Sequence, residues 1–216
     1  MKSKILLLDI DYTIYDVAKA KEMFKKTLSK KLNIKENYLT DIINGSYKDL
    51  KDKMGFYDPS TYADILAKKL QSSKNKILEV SWDEENFKKC IYIDTDIFFK
   101  NINRKIDILI FSTGDERFQT KKLRTVKKYI IKENIYIYKN KVTKFKSLVS
   151  KLKNKKIFII DDSPEVINKA KSINKNVITI LIKRKNFNKN YDYSGDIKAD
   201  YRVKNLISAV KIIKHN

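Results

Sequence analysis

The sequence predicts an α/β fold, a Rossmann-like parallel sheet flanked by helices, with a helical unit inserted after the first strand. Three observations predict it. Residues 5–8, 106–111 and 157–160 are short apolar runs without polar alternation, the pattern of strands buried on both faces. After the second of these runs, strand-like and helix-like segments alternate, as βαβ units require. Between the first two runs, residues 16–100 carry helical spacing and no buried-strand pattern.

The first strand, Lys4-Ile5-Leu6-Leu7-Leu8, ends in two carboxylates, Asp9 and Asp11. Their i, i+2 spacing turns them to one side. From Asp16 to about Lys31, Val17, Ala18, Met23, Phe24 and Leu28 recur at helical spacing. A second helix is expected from Asn37 through Ile43, broken at Asn44-Gly45. A third starts at Asp58-Pro59, with Asp58 as cap and Pro59 at its first position. Ser81 followed three residues later by Glu84 has the spacing of a capping box and predicts a further helix start. Strands are then expected at 106–111, 135–138, 157–160, 177–182 and 199–203. Helices are expected at 119–131, 145–152 and 164–172, with another at the C-terminus. The domain division that follows is a core of residues 1–15 and 101–216 and a helical insertion of residues 16–100.

A chain of 216 residues suits one such domain with its insertion. The single cysteine, Cys90, excludes a disulfide framework and reads as a packing residue. No run reaches about 18 apolar residues, and no signal-peptide pattern opens the chain, so a soluble, cytoplasmic protein is expected. The formal charge of +22 rests on 48 basic residues, of which only Arg104, Arg117, Arg124, Arg184 and Arg202 are arginines. Lysines spread along the whole chain read as a compositional bias with a solvated surface, which also attracts small anions. A nucleic-acid partner is not expected, because specific sites favour the arginine fork.

Three predicted strands end in reactive groups: Asp9 and Asp11, Ser112 and Thr113, Asp161 and Asp162. In an open parallel sheet such ends meet at one crevice. Carboxylates gathered there repel one another unless a cation intervenes, and oxygen-only ligands select Mg²⁺. No His or Cys lies near these strands, since the only histidine is His215 in the tail. That excludes a zinc centre of the usual kind and a Ser-His-Asp hydrolase. A carboxylate beside a cation can attack a phosphoryl group while a second carboxylate transfers the proton.

These motifs resemble, in order and across nearly the whole chain, those of the haloacid dehalogenase-like hydrolases. Asp9-Ile10-Asp11-Tyr12-Thr13 is similar to the first motif and Ser112 to the second. The third-motif lysine falls within Asn140-Lys141-Val142-Thr143-Lys144-Phe145, with Lys141 preferred to Lys144. Ile159-Ile160-Asp161-Asp162-Ser163 is similar to the acidic fourth motif.

The resemblance implies an aspartyl-phosphate mechanism. It makes Asp9 the nucleophile and a Mg²⁺ ligand, and Asp11 the general acid/base with its carbonyl on the metal. Ser112 would hold a phosphoryl oxygen, helped by backbone N–H groups near Thr113 and Gly114. Lys141 would balance the charge, Asp162 would complete the metal site and Asp161 would support it. The 103 positions from Asp9 to Ser112 leave room for a helical cap of the first type (C1). Such a cap favours a small phosphorylated metabolite as substrate, although Asp11-Tyr12-Thr13, Lys141-Val142-Thr143-Lys144-Phe145 and Asp161-Asp162 look like the magnesium-dependent phosphatase branch, which lacks a large cap. The further acidic residue often found after the fourth motif is replaced by Val166 and Ile167, with Glu165 nearby. Tyr15, Tyr47, Phe56, Tyr57 and Tyr62 are read mainly as cap core. The expected function is a Mg²⁺-dependent phosphomonoesterase. The alternatives are a phosphatase of nucleotides or nucleic-acid ends, or an inactive basic nucleic-acid-binding protein.

Overall fold

A computed structural model describes residues 3–102, 106–152 and 154–216; Arg104 lies outside them. Six strands form one parallel sheet: β1 (Lys4–Leu8), β2 (Asp107–Thr113), β3 (Ile135–Tyr138), β4 (Lys156–Asp161), β5 (Ile178–Ile182) and β6 (Tyr201–Val203). Their spatial order is β3-β2-β1-β4-β5-β6. The chain leaves β1 to one side for β2 and returns to its other side for β4. The strand order therefore reverses at β1, where a parallel sheet opens a crevice.

The apolar runs are strands because both faces of the sheet are covered. Leu6 and Leu8 join one core and Ile5 and Leu7 the other. The first core is closed by α6 (Thr95–Ile102) and α10 (Leu206–His215), through Phe98, Phe99, Val210 and Ile213. The second is closed by α8 (Lys141–Lys151) and α9 (Pro164–Ile173), through Phe145, Leu148 and Ile167.

Between β1 and β2 the chain folds helices around a third core. They are α1 (Val17–Leu32), α2 (Glu36–Met54), α3 (Pro59–Leu70), α4 (Lys74–Ser81) and α5 (Glu84–Lys89). Leu28, Leu39, Leu50, Leu66 and Ile77 are fully buried in that core. The two linkers into this unit lie side by side: Asp16 N–H donates to the Cys90 carbonyl (2.7 Å) and Tyr92 N–H to that of Ile14 (3.0 Å). Among the described residues no helix is long and apolar enough to cross a membrane.

Several element boundaries differ from the sequence expectation. Helix α2 runs unbroken through Asn44-Gly45, because burial of Ile43, Ser46 and Leu50 along one face outweighs the roughly 1 kcal/mol helical cost of glycine. Ser81 is no cap. It ends α4 with its hydroxyl donating to the Ile77 carbonyl (3.0 Å), and Asp83 caps α5 by accepting from the Glu85 N–H (2.9 Å). The helix expected at 119–131 is instead α7 (Glu116–Lys122), started by Asp115, which accepts from Phe118 N–H (2.8 Å). It stops before the β-branched pair Thr125-Val126 and gives way to a 3₁₀ turn at Lys127–Tyr129. Helix α8 begins four residues earlier than expected, because Asn140 caps it by accepting from Val142 N–H (3.0 Å). That early start places Lys141 in its first turn, at the mouth of the sheet.

Candidate active site

The β1 ladder continues one residue past the strand, with Asp9 N–H donating to the Ile160 carbonyl (3.1 Å). This seats Asp9 beside the end of β4, next to Asp161 and Asp162. One carboxylate oxygen from each of Asp9, Asp161 and Asp162 lies within 4.8 Å of the others, and all three residues are buried. Lys141 reaches in from α8 and donates to Asp9 and to Asp161 Oδ2 (2.6 Å). Lys144 is exposed, so the geometry singles out Lys141. Asp161 Oδ1 also accepts from Ser163 N–H (3.0 Å).

Three carboxylates against one ammonium leave two formal negative charges in a buried place. Asp162 Oδ2 is buried without a hydrogen-bond partner. Burial pushes the Asp9 carboxyl up to about 7, opposed by Lys141 and reinforced by Asp161 and Asp11. Burial, then Asp9 and Asp161, hold Asp162 well above the usual carboxylate range. A free buried carboxylate oxygen, an oxygen-only donor set and a surplus of two charges fit a hard divalent cation.

Asp11 stands apart from this cluster. The turn after β1 is tight, with Ile14 and Tyr15 N–H both donating to the Ile10 carbonyl (2.9 Å each). Tyr12 takes a left-handed backbone (φ 54°), which few non-glycine residues adopt. The Asp11 carboxylate is held by α7: Lys122 Nζ at 2.5 Å and Gln119 Nε2 at 3.0 Å. Lys122 is itself buried, over the rings of Tyr15 (4.9 Å) and Phe118 (5.0 Å). Neither Lys122 nor Gln119 follows from the sequence motifs. A lysine two turns beyond a strand end is no signal in a chain this rich in lysine.

Ser112 and Thr113 end β2 and line one cavity of about 300 Å³ with Asp9, Asp11, Lys141 and Asp162. Thr113 Oγ1 accepts from Lys141 N–H (3.3 Å), tying β2 to α8. The Gly114 N–H is directed elsewhere, donating to the Tyr138 carbonyl (2.9 Å), and so is not free for a ligand. Gly114 is needed for its backbone (φ 145°), and a Cβ there would meet Gln119 Nε2 at 3.0 Å. Over the cavity stand Lys51 and Tyr47 of α2 and Tyr191 of the loop after β5, groups that the motifs do not reveal. Tyr193 of that loop donates to the Asp162 carbonyl (3.0 Å).

No family model matches this sequence. No curated protein matches it either. Solved structures do match. A haloacid dehalogenase-like hydrolase from Burkholderia xenovorans LB400 superposes with a TM-score of 0.78 at 14% identity, over 98% of this chain and 99% of that one. The hydrolase YfnB of Bacillus subtilis, solved bound to magnesium, gives 0.65 at 15%, over 99% and 100%. A haloacid dehalogenase-superfamily phosphatase from Thermococcus onnurineus gives 0.59 at 20%, over 97% of each chain. L-2-haloacid dehalogenases match over similar lengths.

Proposed function

We infer that this chain, which has the fold of the haloacid dehalogenase-like hydrolases, is a Mg²⁺-dependent phosphomonoesterase acting on a small phosphorylated metabolite. One observation carries the reading: Asp9, at the tip of β1, is gripped by Lys141 and lies in one buried carboxylate cluster with Asp161 and Asp162. A nucleophile needs a carboxylate kept ionised in a buried place, and Lys141 supplies the counter-charge.

In this reading Asp9 and Asp162, with the Asp11 carbonyl, would hold the cation and Asp161 would support them; bound there, the ion would draw charge from the phosphoryl oxygens. Asp9 attacks phosphorus to form an aspartyl phosphate, and the bond to the leaving oxygen breaks. Asp11 gives that oxygen a proton. It then takes a proton from water, which attacks phosphorus and restores the Asp9 carboxylate. Ser112 binds a phosphoryl oxygen, and Lys141 offsets the charge that builds in the transition state. Lys122 and Gln119 orient Asp11. The helices α1–α5 act as a cap over the site, which supports a small substrate rather than a macromolecule.

Hydrolysis of p-nitrophenyl phosphate with Mg²⁺ tests this. The wild type should turn over, and Asp9→Asn should lose several orders of magnitude in rate. Undiminished activity in Asp9→Asn would remove the nucleophile and the reading with it. Halide release from a 2-haloacid, with no phosphate release from esters, would favour a dehalogenase instead.

A further inference from the structure

Two cations of the inserted helices have no use in the chemistry above. Lys21 of α1 lines, with Asp11 and Lys122, an apolar chamber of about 130 Å³ walled by Tyr15, Tyr57 and Phe118. Lys51 of α2 lines the adjoining cavity with Asp9, Asp11 and Lys141. Lys21 Nζ rests 4.2 Å from the centre of the Tyr47 ring, and Lys51 Nζ donates to the Gly55 carbonyl (3.0 Å). Both residues are exposed.

Among the described residues neither lysine has a carboxylate partner within ion-pair distance. Some other lysines of the inserted helices do pair, Lys25 with Glu22, Lys69 with Asp49, Lys74 with Asp64 and Lys88 with Glu85, so it is their place on the cavities that sets Lys21 and Lys51 apart. Asp11 acts on them only from a distance, because its carboxylate is bonded to Lys122 at 2.5 Å. Desolvation lowers the affinity of both lysines for the proton, Asp11 opposes this, and Lys51 adds its repulsion to Lys21. Two ammonium groups on adjoining cavities, neither in an ion pair among the described residues, are what a bound anion would relieve.

We propose that Lys21 and Lys51 form an anion subsite across the cleft from Asp9, so that the substrate is a phosphomonoester carrying a second anionic group. This deepens the phosphomonoesterase reading and rests on it. The phosphate being transferred meets Lys141 and the carboxylate-bound cation. The second anion meets Lys21 and Lys51, and the spacer between the two lies against the apolar chamber.

Phenyl phosphate and 4-carboxyphenyl phosphate differ only in that second charge. The wild type should show a kcat/KM at least about tenfold higher for the carboxylated ester, the size of effect one well-placed charge contact gives. The double variant Lys21→Met with Lys51→Met should bring the ratio close to one. Lys21→Arg with Lys51→Arg should keep most of it. A ratio taken within one protein is independent of how much of that protein is folded. A wild-type ratio near one, or a ratio that survives the double Met variant, overturns the subsite.

Calorimetric titration with benzylphosphonate and 4-carboxybenzylphosphonate, in the presence of Mg²⁺, separates the two claims. Should neither ester be hydrolysed while the carboxylated phosphonate binds tenfold tighter in a lysine-dependent way, the subsite stands and the phosphomonoesterase reading falls. Hydrolysis of both esters with no preference in either assay leaves the phosphomonoesterase and removes the subsite. Absence of both hydrolysis and binding removes both.

Discussion

Lys141 is the residue on which the acidic centre depends. It is the only cation bonded to Asp9 and Asp161 among the described residues, and all three are buried. Removing one partner of such a set leaves charge without compensation, at about 3–5 kcal/mol. Lys141→Met should therefore lower stability by about that amount in chemical denaturation and remove the proposed phosphatase activity. Added Mg²⁺ should restore much of the stability and none of the rate. The same centre sets a pH dependence. The folded carboxyl of Asp9 stands at about 7, above its ordinary value of 3.8. The folded state then binds the extra proton across that interval, so this group's contribution is full below about 4 and fades as pH rises through 7. With divalent cations chelated, thermal melts should show stability falling from pH 5 to pH 8, and Mg²⁺ should flatten the curve. A chelated protein more stable at pH 8 than at pH 5 would contradict that electrostatic picture.

Among the elements, α2 and the linkers carry separate tests. Gly45 sits inside α2, and a Cβ there meets nothing closer than Lys69 Nζ at 3.6 Å. Gly45→Ala should thus stabilise the protein by about 0.5–1 kcal/mol in urea denaturation, by restricting the unfolded chain. A destabilised Gly45→Ala would mean that the helix is interrupted there after all. The linkers are fastened by Arg184, just beyond β5. Its Nη2 donates to the Thr13 carbonyl (2.6 Å) and its Nη1 to Asp94 Oδ2 (2.7 Å), while its guanidinium covers the Tyr92 ring at 4.1 Å. Leu206 N–H also donates to Asp94 Oδ2 (2.7 Å). One buried side chain therefore joins the turn after β1, the segment returning from the inserted helices and the start of α10. Arg184→Met would strand Asp94 and should cost about 3–5 kcal/mol. A loss of less than 1 kcal/mol would show that the fastening contributes little.

At the scale of the whole molecule the formal charge of +22 acts as self-repulsion. Many of the ion pairs that relieve it are exposed, such as Lys100–Asp96 and Lys88–Glu85, and such pairs contribute little each. Raising NaCl from 20 to 200 mM shortens the screening length from roughly 20 Å to below 10 Å. The melting temperature should accordingly rise over that range. A fall would show that specific ion pairs outweigh the general repulsion.

Strand identity, the inserted helices and the acidic strand ends were legible in the sequence, because burial on two faces leaves an unbroken apolar run whatever its neighbours are. That Asp9, Ser112, Lys141 and Asp162 would line one cavity was legible for a similar reason, since local features place them: a strand end or the first turn of a helix. Other features required the tertiary structure. Only the packing of α7 under the insertion shows that the Asp11 carboxylate turns to Lys122 and Gln119, and away from Asp161 and Asp162. Only the meeting of α1 and α2 over the sheet distinguishes Lys21 and Lys51 from the other lysines. A charge acquires its role from what faces it across space, and linear order does not encode that distance.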